Sequence, residues 1–93
     1  MDHLELFNRL IAVARPVNAS NAHAKSLEDN IKDTGLDSLD MLMLGVYLSD
    51  IFGVPEAVAK EVKAEKVGDF VNYFVEKQTK SPESVDSAIK SVS

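Results

Sequence analysis

Apolar residues recur at helical spacing in four stretches of the chain, and polar segments separate these stretches. The spacing predicts helices over residues 2–15, 38–52, 55–62 and 67–77. Pro16 should end the first helix, because proline interrupts helical hydrogen bonding. A long polar loop over residues 17–37 should join the first helix to the second. The sequence therefore predicts an all-α fold, a small four-helix bundle of three longer helices and one short helix with a long first loop.

The C-terminal residues carry a weaker helical pattern. Ser81 is a suitable N-cap, and Pro82 is a suitable first helical residue. The apolar residues that follow at helical spacing are Val85, Ala88, Ile89 and Val92. A helix of this length is marginal in water by itself. We therefore predict one domain over residues 1–78 and a tail over residues 79–93, in which residues 82–92 form a marginal amphipathic helix that is weakly ordered without a surface to pack on.

The predicted second helix is apolar on two faces. One face contains Leu44, Leu48 and Phe52, and the other contains Leu39, Leu42 and Val46. A helix in a small bundle rarely buries its whole circumference. Either this helix lies at the centre of the fold, or its second face is an exposed apolar strip that a partner covers.

Length and composition exclude several classes of protein. A chain of 93 residues forms one domain with one core, and its 45% apolar content favours folding over disorder. Cysteine is absent, which excludes disulfides, thiolate metal sites and a cysteine nucleophile. No apolar run approaches the ~20 residues of a membrane span. The N-terminal residues lack the basic stretch of a secretory signal, so we expect a cytoplasmic protein without a membrane span.

The negative charge is concentrated in the middle of the chain. The net charge is −5, and between Ser26 and Glu56 seven acidic residues accompany a single base, Lys32. Such a patch repels nucleic acid and favours partners with basic docking surfaces. A solvated acidic loop without any partner explains the same pattern equally well.

The sequence contains few candidates for catalysis. His3 and His23 each lack a second ligand at the spacing of a zinc site, and there is no glycine-rich phosphate loop or evident catalytic pair of acids. We therefore expect no enzymatic activity, no catalytic residue and no metal. The remaining candidate is Ser38, which follows Asp37 where an acidic loop meets an apolar helix. Both residues are also ordinary helix N-caps, and spacing alone favours that structural role.

Residues 35–40, Gly-Leu-Asp-Ser-Leu-Asp, resemble the prosthetic-group attachment motif of the acyl carrier protein family. The resemblance extends over residues 2–77 and implies an acyl carrier protein-like arrangement of the helices. It implies that Ser38, flanked by Asp37 and Leu39, carries 4′-phosphopantetheine that a phosphopantetheinyl transferase takes from coenzyme A. Residues 1–78 would then be the carrier domain of a monomer. Such a domain presents acyl thioesters to acyl-transferring or synthase enzymes of fatty acid, lipid or secondary-metabolite synthesis.

The resemblance also implies two sets of supporting residues. The partner-docking positions are Leu39, Asp40, Leu42, Met43, Val46 and Asp50. The expected lining of an acyl pocket inside the bundle is Leu44, Leu48, Val58, Val62 and Phe74. Met43 stands where the family usually has a glutamate, which favours a dedicated set of partners. The alternatives are an unmodified helical adaptor that keeps the carrier fold, and a peptidyl or aminoacyl carrier.

Overall fold

The computed structural model describes residues 2–15 and 22–93. These residues form five α-helices, α1 (His3–Ala14), α2 (Ser38–Phe52), α3 (Glu56–Ala59), α4 (Val67–Glu76) and α5 (Val85–Val92). A 3-10 turn covers Ile31–Asp33. The described residues contain no β-strand, and the predicted all-α class is confirmed with one helix more than the four of the bundle. No helix in this part of the chain has the length and apolarity that crossing a membrane requires.

Three predicted helices agree with the structure to within one residue at each end, namely α1, α2 and α4. Gly53 follows α2 in a left-handed conformation, with φ 65°, and its amide closes the last turn of the helix. Pro16, predicted to end the first helix, lies outside the described residues.

Two predicted helices have wrong boundaries. The short helix α3 ends at Ala59 instead of Val62, and the amides of Glu61 and Val62 donate to Val58 and Ala59 in the tight turns that follow it. Pro55 precedes this helix as its N-cap and is not its first residue. At α5 the N-cap is Ser84 instead of Ser81, since the Ser84 hydroxyl accepts a hydrogen bond from the Ser87 amide at 3.1 Å.

The core lies around α2, which packs against all four other α-helices. Leu44 and Leu48 of α2 are fully buried, as are Phe7 of α1 and Phe74 of α4. Phe70 links the two aromatic residues through edge-to-face contacts, with ring centroids 6.3 Å from Phe7 and 5.5 Å from Phe74. The central position of α2 explains its first apolar face, since Leu44, Leu48 and Phe52 are buried in this core.

The C-terminal residues that the sequence marked as a tail lie against the bundle. Helix α5 packs on α1 and α2 and buries Val85, Ala88 and Ile89. The carboxylate of Asp86 forms an ion pair with Arg9 of α1. The segment before α5 is also attached, because the amides of Thr79 and Lys80 donate to the Phe52 carbonyl at 2.9 and 3.2 Å. Whether residues 1–78 fold as a domain without this helix, and how well ordered it is in solution, stay predictions.

Backbone hydrogen bonds attach the described part of the first loop to the first residues of α4 and to the residues just before it. The amide of Ile31 donates to Glu65 at 2.7 Å, and the amides of Val67 and Gly68 donate to Asp29 and Leu27 at 3.0 and 2.8 Å. Asn30 and Lys66 form an isolated antiparallel bridge between the same two segments. The loop therefore forms a fixed wall beside α2.

Candidate functional site

Ser38 is the first residue of α2 and is exposed. The residue that caps the helix is Asp37, whose carboxylate accepts from the Asp40 amide at 2.8 Å. In return the Asp40 carboxylate accepts from the Asp37 amide at 3.2 Å, which completes a capping box. Neither bond uses the Ser38 hydroxyl. Of the two residues that could have been ordinary caps, Asp37 is the cap, and Ser38 presents its hydroxyl to solvent.

Arg15 and Asp40 hold the chain that leads into Ser38. The Arg15 guanidinium, at the end of α1, donates to the Gly35 carbonyl at 3.3 Å and lies 3.7 Å from the Asp40 carboxylate. Gly35 has φ 87°, a conformation that residues other than glycine rarely adopt. Asp40 is only 8% exposed. Its carboxylate is used inside the protein, and its role as a docking residue stays a prediction.

The start of α2 also favours a bound anion beside Ser38. The first N–H groups of a helix have no intrahelical partner, and the dipole makes this end positive. The capping box uses the amide of Asp40, whereas no described residue accepts from the amides of Ser38 or Leu39. The exposed Asp37 carboxylate opposes an anion, but solvent and salt screen its charge. A phosphate ester on the Ser38 hydroxyl therefore fits this position.

A groove of about 660 Å³ begins beside Ser38 and runs along α2. On the α2 side its lining residues include Met41, Leu42, Gly45, Val46 and Ser49. On the other side they include Ile31 of the 3-10 turn, Ala59 of α3 and Phe70 of α4. Val62 and Ala64, which lie between α3 and α4, also belong to this side. The Glu56–Lys60 ion pair, at 3.3 Å, lies at its edge. The lining of the groove is mainly apolar, and its polar members are Ser38, Ser49, Asp50, Glu56 and Lys60.

The residues predicted to line an acyl pocket differ from those of this groove. Of the five, only Val62 belongs to its lining. Leu44, Leu48 and Phe74 are fully buried in the core, and Val58 is half-buried outside the groove. The prediction chose large apolar residues on the core face of α2, whereas the groove lies along a different face. The residues it missed include Gly45, Ala59 and Ala64, and a glycine inside a predicted helix was the available signal.

The exposed apolar side chains of α2 form a strip next to Ser38. Leu39, Leu42 and Val46 are 64%, 61% and 58% exposed, and they are the large apolar residues most exposed in the described chain. Asp50 is exposed and Met43 is half-buried on the same helix. The predicted docking residues thus lie on α2 together with Ser38, and of these Asp40 alone is buried.

Neither histidine belongs to the lining of the groove or to the exposed apolar strip. His3 starts α1 and His23 lies in the first loop, where its side chain is exposed. Within residues 2–15 and 22–93 there is no group of three His, Cys, Asp or Glu side chains that could hold a metal ion.

No protein-family model, no curated protein and no solved structure matches this chain. A functional assignment therefore depends on the residues and geometry of the chain itself.

Proposed function

We propose that this protein is an acyl carrier protein, in which the Ser38 hydroxyl is the attachment point of 4′-phosphopantetheine. The observation that carries the proposal is the position of Ser38. It is an exposed serine that begins a long helix without serving as its cap, and it adjoins both an apolar groove and an exposed apolar strip. This combination agrees with the resemblance of residues 35–40 to the attachment motif of that family.

Different residues of the chain would position the serine and bind the phosphate of such a carrier. The capping box and Arg15 fix the backbone that presents Ser38, and the amides of Ser38 and Leu39 favour the negative charge of a phosphodiester. When bound, the prosthetic group supplies the thiol that holds an acyl group as a thioester, so the chain needs no cysteine.

The groove and the strip share Leu42 and Val46 and have different tasks in this proposal. The groove shelters an acyl chain from water, which is favourable by about 0.8 kcal/mol for each buried CH₂ group. The strip of Leu39, Leu42 and Val46 contacts partner enzymes through an apolar patch. The exposed carboxylates of Asp37, which caps α2, and Asp50 of the same helix favour partners with a basic rim around that patch.

The second candidate function is an unmodified adaptor with the carrier fold. The exposed strip favours it, because three apolar side chains in solvent suit a protein contact whether or not Ser38 is modified. The two functions differ in the chemistry of a single hydroxyl.

The test is enzymatic loading of the full chain. Coenzyme A, Mg²⁺ and a broad-specificity phosphopantetheinyl transferase should raise the intact mass by one phosphopantetheine group. Ser38→Ala should stay unmodified, whereas Ser81→Ala, which replaces an exposed serine outside the site, should be loaded like the wild type. Because Asp37 is the cap, Ser38→Ala should change the free energy of unfolding by no more than about 0.5 kcal/mol.

Two outcomes would contradict the carrier assignment. Labelling of Ser38→Ala at the wild-type level would place the modification elsewhere. A wild-type protein that stays unmodified, while a known carrier is loaded by the same enzyme preparation, would favour the adaptor.

A further inference from the structure

Gly45 is the glycine for which the fold gives no structural reason. Gly35 and Gly53 have positive φ angles, and a Cβ atom at Gly68 would lie 3.0 Å from Leu27. Gly45 lies in the middle of α2 in a conformation that any residue adopts. Apart from its two chain neighbours and the nearby backbone of α2, no heavy atom of the described chain lies within 4 Å of the place where its Cβ would be.

A glycine inside a helix weakens that helix, because it loses more backbone freedom on folding than any other residue. Alanine would fit at position 45 without contact and would favour the helix. The open space at this position is part of the groove, since Gly45 is one of its lining residues. The missing side chain therefore widens the groove and lowers the stability of the helix.

Small residues also occur on the opposite side of the groove. Ala59 and Ala64 belong to its lining, so three of its lining positions carry a methyl group or less. Atoms that face an empty space lose their dispersion contacts, and a straight alkyl chain has fewer atoms to place beside these small residues than a thicker group has. A thicker group would fill that space and recover those contacts.

We infer that Gly45 sets the width of the groove, and that the groove suits acyl groups thicker than a straight alkyl chain, namely branched or ring-bearing ones. The inference rests on the proposed carrier function and names its class of cargo. Gly45 acts here as a specificity-determining residue.

The test compares two cargoes that have the same number of carbon atoms, heptanoyl and cyclohexanecarbonyl. The transferase loads each from its coenzyme A thioester, and intact mass reports the loaded fraction. Thermal melting and amide exchange at Val62 and Ala64 then report whether the cargo occupies the groove. In the wild type, cyclohexanecarbonyl should raise the melting temperature more than heptanoyl and should protect these amides more strongly.

The variants test the residue itself. Gly45→Leu should remove the larger shift for cyclohexanecarbonyl, and Gly45→Ala should reduce it. Ala57→Leu adds bulk at an exposed position of α3 outside the groove lining and should keep the wild-type difference. Thermal melting of the unloaded variants checks that each is folded. If Gly45→Leu does not fold, Gly45→Ala still tests the inference.

Separate results distinguish failure of the inference from failure of the proposed function. If neither cargo is loaded onto the wild type, the proposed function is overturned and the inference with it. If both are loaded and raise the melting temperature equally, or if Gly45→Leu keeps the wild-type difference, the inference alone is overturned.

Discussion

The two apolar faces of α2 have opposite environments. Leu44 and Leu48 are fully buried, and Ile51 and Phe52 are each 3% exposed. Leu39, Leu42 and Val46 on the same helix leave more than half of their surface in solvent. The side chains are chemically alike, so apolarity by itself does not decide burial. The contacts that α2 makes with α1, α4 and α5 decide it, and the second face is free for a contact outside this fold.

The same division occurs among the polar residues at the start of α2. Asp37 and Asp40 satisfy each other's amides, whereas Ser38 between them takes no part in the cap. Residues that complete the fold and residues that are free for chemistry thus alternate within one helical turn. Stability and function should respond to different substitutions in this region.

Leucine substitutions on the two faces should give the largest contrast. Leu44→Ala should lower the free energy of unfolding by about 2–5 kcal/mol, because it removes buried methyl groups and leaves a cavity. Leu42→Ala, the matched change on the exposed face, should alter it by no more than about 0.5 kcal/mol. Urea unfolding followed by circular dichroism measures both. Equal losses for the two variants would show that the outer face is also part of the folding core.

Helix α5 should make an intermediate contribution to the free energy of unfolding, because it packs against α1 and α2. Ile89→Ala should lower the free energy of unfolding by about 2 kcal/mol, at the low end for buried isoleucine since 9% of its surface is exposed. Lys90→Ala, an exposed change in the same helix, is the control. Amide exchange of residues 85–92 should show protection comparable to that of α4. An unchanged stability together with rapid exchange would mean that α5 is only weakly held, as the sequence suggested for the tail.

The sequence predicts the fold well where periodicity and terminating residues coincide. Apolar spacing and Gly53 place α2 correctly, because a strong pattern ends at a residue that accepts a left-handed conformation. It fails where a local choice depends on tertiary contacts. Ser81 and Ser84 are equally good caps by composition, and the structure uses Ser84 because Val85 is the first residue of α5 to be buried.

The groove was harder to predict than the helices. A search for a pocket among large apolar residues selects Leu44 and Phe74, which fill the core and are not among the residues that line the groove. The groove depends instead on residues without bulk, such as Gly45 and Ala64, and on the loop wall at Ile31. The structural role of Asp40 was also not predicted. The resemblance placed Asp40 among the docking residues, whereas its spacing from Asp37 fits the capping box that the structure shows.

The smallest effect on stability should come from the ion pair between Arg9 of α1 and Asp86 of α5. Arg9 donates to the Asp86 carboxylate and holds the pKa of Asp86 below its ordinary value of 3.8. Since the folded pKa is the lower one, the pair contributes stability above pH 3.8, and this contribution is lost as the pH falls through the folded pKa. Both side chains are well exposed, so the contribution should be small and should weaken with salt.

Asp86→Asn should therefore lower the melting temperature slightly at neutral pH and low salt, and the difference from the wild type should shrink in acid and at high salt. Glu83→Gln is the control, because it removes an exposed acid just before α5 for which the described residues include no ion-pair partner. It should have no comparable effect at any pH. A loss for Asp86→Asn that persists unchanged in acid would have to arise from helix propensity or packing in α5, and Arg9 would then contribute nothing measurable to holding the helix.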